Sequence, residues 1–303
     1  MQASDVQASV NAGWARHAER PEEVLLDMVS LVETAPAESA AALANLLFHV
    51  GGEHLGRFVL VESSLRSLLA VAESPAAAAP LHRLLAACAL CSGTEDQARA
   101  RLAQTAGDPA VNQGIVLGLA ASALAAQDRT PEAAAHFEAA VALAEVTEGL
   151  VRSVAVTGNN LAVSLEQRTQ RSPEQDALML RAAQVARISW EKAGTWLNVE
   201  RAEYRLAMTR LARGEAQAAT EHAERVLAIV RENGGDPGEA FFGWEVLARA
   251  RHAGGDTEGA GAARDQAAAC APDVVDEGFR AACVAALGVL DGQLVVPPPN
   301  GRG

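Results

Sequence analysis

The sequence predicts an all-α fold: an α-solenoid of about seven helix hairpins closed by a C-terminal capping helix. Three observations predict it. Half of the 303 residues are hydrophobic while only 4% are aromatic, so alanine, the strongest helix former, supplies much of the apolar content. Apolar residues recur three and four apart rather than in alternation, which disfavours a sheet. Small or short residues return at Asn45, Ala86, Ala121, Ala162, Ala207 and Ala248, with separations of 41, 35, 41, 45 and 41. A recurrence of about this length marks stacked repeats, in which no unit buries its apolar face alone.

The first pair is predicted over 3–19 and 22–33, divided by Pro21, with Val24, Leu25, Met28, Leu31 and Val32 as its buried stripe. The second spans 37–50 and 54–72, turning at Gly51-Gly52, and its slots hold the polar Asn45 and Arg57. The third spans 77–91 and 95–105, turning at Ser92-Gly93, with Ala98 twelve residues after Ala86. The fourth, 110–127 and 131–145, carries Leu117, Ala121, Leu124, Ala133, Phe137 and Ala140, with Thr130 as N-cap and Pro131 in the first turn. The fifth starts near Glu148, and Arg171-Ser172-Pro173 lengthens its turn. The sixth places Leu206-Ala207 before Gly214, then Ala219, Ala223, Val226, Leu227 and Val230 on one stripe. A last helix carries Val274, Val275, Phe279, Cys283, Val284 and Leu287 and covers the end of the stack.

The seventh pair, 241–272, is the clearest. Trp244 is followed by Leu247 and Ala248, the turn is Gly254-Gly255-Asp256, Ala260 comes twelve after Ala248, and Ala267 and Pro272 complete the unit. Two helices 8–10 Å apart need small residues where they cross, and Ala248 and Ala260 supply them. This pattern resembles a tetratricopeptide repeat, W-x2-L-G-x2-Y then A-x3-F then P, with Ala248 standing for the Gly, Arg251 for the Tyr and Arg264 for the Phe. Units longer than the standard 34 residues look like those of kinesin light chains and of bacterial peptide-sensing regulators, and Gly158-Asn159-Asn160-Leu161-Ala162 is similar to the kinesin-light-chain-like variant. The resemblance covers 37–272 and implies a right-handed superhelix over 1–291, with degenerate repeats in 1–107, clearer ones in 110–272 and a cap at 273–290. The tail, 292–303, is expected to be disordered.

The resemblance also implies a concave groove lined by the first helix of each pair, with Arg152, Asn159, Asn160, Asn198, Arg201, Tyr204 and Arg205 as candidate groove residues. Tetratricopeptide domains that clamp a peptide carboxylate use an Asn two before the small residue of one repeat. They add basic residues six and two before that of the next. Asn160, Arg201 and Arg205 occupy those positions relative to Ala162 and Ala207. Ile115 and Leu119, in the matching positions of the fourth pair, are apolar, so half the clamp is missing. An Arg fork suits a carboxylate or phosphate, and Asn suits a peptide backbone. The competing reading makes the two arginines surface charges paired with nearby Glu.

The expected function is therefore a non-enzymatic module that binds a protein or peptide through an acidic or C-terminal carboxylate group. A peptide-responsive bacterial sensor acting through a partner is the alternative, and a metal- or thiol-dependent module the third. No catalytic, cofactor or metal residue is expected: the sequence lacks a P-loop, GxGxxG, GxSxG and HExxH. Cys88 and Cys91 read as helix packing, and His49, Glu53 and His54 as a solvated turn. The formal net charge of −13 argues against nucleic acid and anionic membrane as partners. No basic-then-apolar start and no apolar run of ~18–20 residues is evident, so a cytoplasmic protein is expected. Self-association as a homodimer is left open.

Overall fold

The computed structural model describes residues 2–295; of the expected tail, 292–303, the part from 296 onward lies outside them, and 292–294 belong to the last helix. Among the described residues there are fifteen α-helices and no strand. They form seven successive hairpins and a cap: α1 (Ala3–Arg16) with α2 (Pro21–Leu31), α3 (Ala40–Leu47) with α4 (Phe58–Ala70), α5 (Pro75–Cys91) with α6 (Glu95–Leu102), α7 (Pro109–Ala126) with α8 (Thr130–Val146), α9 (Val151–Glu166) with α10 (Pro173–Ala193), α11 (Trp196–Ala212) with α12 (Ala216–Glu232), α13 (Pro237–Ala253) with α14 (Thr257–Cys270), and finally α15 (Glu277–Leu294). The chain divides into two compact units, Met1–Thr157 and Gly158–Gly303. Within each, the pairs stack as in an α-solenoid: α3 packs on α1, α5 on α3 and α7 on α5 in the first, and α13 on α11 and α15 on α13 in the second.

One device reverses the chain in four pairs. After α5, α7, α11 and α13 a single residue takes a left-handed φ: Gly93, Asp128, Gly214 and Gly255. The following N–H of Thr94, Arg129, Glu215 and Asp256 donates to the carbonyl of Ala89, Leu124, Arg210 and Arg251 at 2.9, 2.9, 2.9 and 3.0 Å. This six-to-one bond satisfies an orphan carbonyl at the helix end. The same pairs carry the alanines twelve apart, Ala86/Ala98, Ala121/Ala133, Ala207/Ala219 and Ala248/Ala260, and all eight are buried. Ala248→Leu is expected to cost about 1–3 kcal/mol by overpacking, read as a lower denaturant midpoint.

The second pair departs from expectation. The helix does not turn at Gly51-Gly52. It continues as a π-helical stretch, Phe48–His54, and reverses at Leu55–Arg57, where Gly56 has φ +62°. Both glycines are buried, and a Cβ on Gly51 would collide with Val61 Cγ2 of α4. They permit close approach, not chain reversal. Asn45 is exposed, and Ala44 beside it is buried in its place; Arg57 sits at the entry to α4 and pairs with Glu22.

The cap also differs in register. Its helix runs to Leu294, three residues past 291. Phe279, Cys283, Leu287 and Leu290 pack inward, whereas Val275 and Val284 are exposed. Arg264, where the repeat pattern has an aromatic residue, bridges to Asp291 of α15 at 2.7 and 3.0 Å. The α7 helix is long and apolar enough to cross a membrane by length and composition, contrary to the expectation that no segment is. Half of it is buried in the protein, against α5 and α8.

Candidate functional site

The second unit brings the predicted arginines together with an apolar pocket along α11. That helix starts with a capping box: the Thr195 N–H donates to Asn198 Oδ1 at 2.9 Å, and this occupies Asn198. Beyond the cap, Arg201, Arg205, Met208 and Ala212 are spaced four, three and four apart and share one face. The stripe passes from charge to hydrocarbon. Its apolar end opens on a cavity of about 590 Å³, lined by Met208, Leu211, Leu290 and Leu294 and rimmed by Glu166, Arg249 and His252. A cavity of this size and lining accepts a large apolar side chain.

The charged end is set by carboxylates from neighbouring elements. Arg201 pairs with Glu239 of α13 and keeps 58% of its side chain exposed, while Arg205 pairs with Glu166 at 2.8 Å and is only 19% exposed. The Arg205 Nε is buried without a partner, so one guanidinium donor remains unused. Glu200, next to Arg201 and buried, has its carboxyl pushed up to about 8 by burial and then by Glu239. Burial would likewise raise Glu203, but hydrogen bonds from His222 and Arg187 outweigh it and hold this carboxyl below its usual range; the contacts are 2.7 and 2.6 Å. Tyr204 does not open to a groove. Its hydroxyl donates to Glu245 Oε2 at 3.4 Å, its ring meets Phe242 edge-on, and burial raises its pKa.

Of the remaining candidates, Asn160 is exposed and accepts a bond from Asn159 Nδ2 at 3.4 Å. Arg152 is exposed and belongs to the first unit. Thus Asn160, Arg201 and Arg205 all fall in the second unit, while Asn198 and Tyr204 are engaged in capping and packing. The pocket residues Met208, Leu211, Leu290 and Leu294 were not among the sequence candidates. The continuation of the Arg201–Arg205 spacing onto Met208 was the available signal for the first of them. Cys88 and Cys91 are buried, and burial pushes the Cys91 thiol up to about 12, so neither presents a thiolate.

Stacked hairpins, repeated helix ends and buried alanines at a fixed offset define a helical-repeat protein. No family model matches the chain, and no curated protein matches it. Among solved structures, that of BtubC (BKLC) from P. vanneervenii is similar over 100% of this chain and 94% of that chain, with 18% identity and a TM-score of 0.48. At that level of likeness, the repeat class rests on this chain's own helix pairs.

Proposed function

We propose that the chain is a non-enzymatic interaction module of the tetratricopeptide type, binding a peptide or protein segment along α11 of its second unit. The segment would place an apolar side chain in the Met208–Leu211 pocket and an acidic or C-terminal carboxylate at Arg201 and Arg205. The observation that carries this reading is the continuity of the two: Glu166 both lines the pocket and pairs with Arg205 at 2.8 Å. An incoming carboxylate exchanges with Glu166 or Glu239 for a guanidinium fork that binds it bidentately. A regulatory sensor is a second reading with its own support, because Leu290 and Leu294 of the terminal helix form one wall of the pocket. A ligand seated there bears directly on α15.

Selection from a random peptide library against the full chain tests the proposal. Enriched peptides are expected to pair an apolar residue with an acidic residue or free C-terminus. The double variant Arg201→Ala, Arg205→Ala is expected to weaken the best of them at least about tenfold, the effect of one charge-assisted bond. Unchanged affinity in that variant, or no enrichment, contradicts the reading.

A further inference from the structure

Three histidines from distant parts of the chain meet in the first unit. His17 caps the C-terminal end of α1, and His49 and His54 lie on the π-helical stretch after α3. A π-helix closes its turns with five-residue bonds. It thereby brings residue 54 over residue 49, with their Nε2 atoms 3.1 Å apart and ring centroids 4.7 Å apart. The His17 ring lies 4.9 Å from His49 and 5.3 Å from His54. One nitrogen from each of the three falls within 4.8 Å of the other two.

The outward nitrogens of two rings are already engaged. His17 Nδ1 lies 2.6 Å from the Trp14 carbonyl, and His49 Nδ1 lies 2.6 Å from Glu53 Oε2. A carbonyl or carboxylate oxygen accepts, so each Nδ1 carries the proton and each Nε2 keeps its lone pair. A carboxylate or carbonyl behind an imidazole is the arrangement that orients histidine ligands at metal centres and raises their basicity. The segment bearing Glu53 is itself fixed, because Nε2 of Gln127, the residue that follows α7, donates to the Glu53 carbonyl at 2.8 Å. Two nitrogens on a tetrahedral ion at ~2.0–2.1 Å stand about 3.3 Å apart, close to the observed 3.1 Å. A hydrogen bond from His54 to His49 would account for that one contact, but not for a third imidazole brought to the same point. Trp14 walls one side, with its ring 5.3 Å from His17 and 5.0 Å from His49. His54 is exposed and leaves an approach from solvent.

We propose that His17, His49 and His54 form a binding site for a divalent late first-row transition ion of the zinc type, with Glu53 and the Trp14 carbonyl orienting two of the rings and a fourth position open. Imidazole nitrogen is the ligand such ions select over calcium and magnesium. Bound there, the ion ties the end of α1 to the second hairpin. Nothing in the proposal depends on peptide binding by the second unit.

The test uses the full chain without a histidine tag, stripped with chelator and titrated with Zn²⁺ near neutral pH. One ion per chain, bound with micromolar or tighter affinity and raising the thermal midpoint, is expected. His54→Ala removes an exposed ring, so the fold is retained, and is expected to lower affinity at least 100-fold. Glu53→Gln is expected to lower it about tenfold. Co²⁺ in place of Zn²⁺ should give the visible absorption of a four-coordinate nitrogen site, lost in His17→Gln. No retained ion, or equal binding by wild type and His54→Ala, overturns the proposal.

Discussion

Replacing Gly158 with leucine is expected to cost about 3 kcal/mol or more, the largest destabilisation foreseen for a single change in the second unit. A Cβ at this position would lie 2.7 Å from the Ala182 carbonyl oxygen and 3.3 Å from the Ala186 Cβ. The first contact is with backbone, which no rotamer change relieves. The chain at Gly158 and the facing turn of α10 must move apart to admit a larger residue. Gly261, on α14, is the matched control: nothing lies within 4 Å of its Cβ position, and Gly261→Ala is expected to stabilise by up to about 1 kcal/mol through helix propensity. Denaturant unfolding of both variants checks the pair. Equal stability of Gly158→Leu and wild type would contradict this placement of Gly158 against α10.

Glu200→Gln is expected to stabilise the chain by about 2–3 kcal/mol at pH 7–8 and by little near pH 4. In the folded chain Glu200 is pushed up to about 8 by burial, then by Glu239, with Asp236 adding to the rise and Arg201 opposing it. Unfolded, it titrates near 4.3. The folded state therefore binds the extra proton between these values, so stability is fully present below about 4.3 and is lost as pH rises through about 8. A neutral amide donates to Glu239 as the protonated acid does and carries no such dependence. At a rough 2–4 °C per kcal/mol for a body of 150–250 residues, the melting midpoint at pH 8 should rise by about 4–12 °C. An equal shift at pH 4 and pH 8 would show that the effect is packing rather than protonation.

What the sequence made legible followed from local chemistry. The alanine spacing marks the helix crossings because only small residues fit there, and the four left-handed helix ends are written as Gly or Asp at the matching place. Gly51-Gly52 was misread because a glycine needed for close packing and one needed for a turn are the same letter. The π-helical stretch has no pattern of its own, so the slot assignment slipped onto Asn45, which is exposed beside the buried Ala44. The arginine stripe on α11 was visible, but its partners were not. Glu239 and Glu166 lie 38 and 39 residues from Arg201 and Arg205, and only tertiary packing brings them there. The histidine cluster was hidden for the same reason: His49 and His54 read as a turn until the continued helix aligned them and α1 delivered His17.

Hydrogen–deuterium exchange of the full chain, with and without a selected peptide, tests most directly whether the α11 face is the recognition surface. Slowed exchange is expected in α11 from Arg201 onward, in the C-terminal half of α13 and in α15, the elements that carry the arginines and the pocket walls. Protection confined to the even-numbered helices α12 and α14, or peptide binding with no protection in α11, would contradict it.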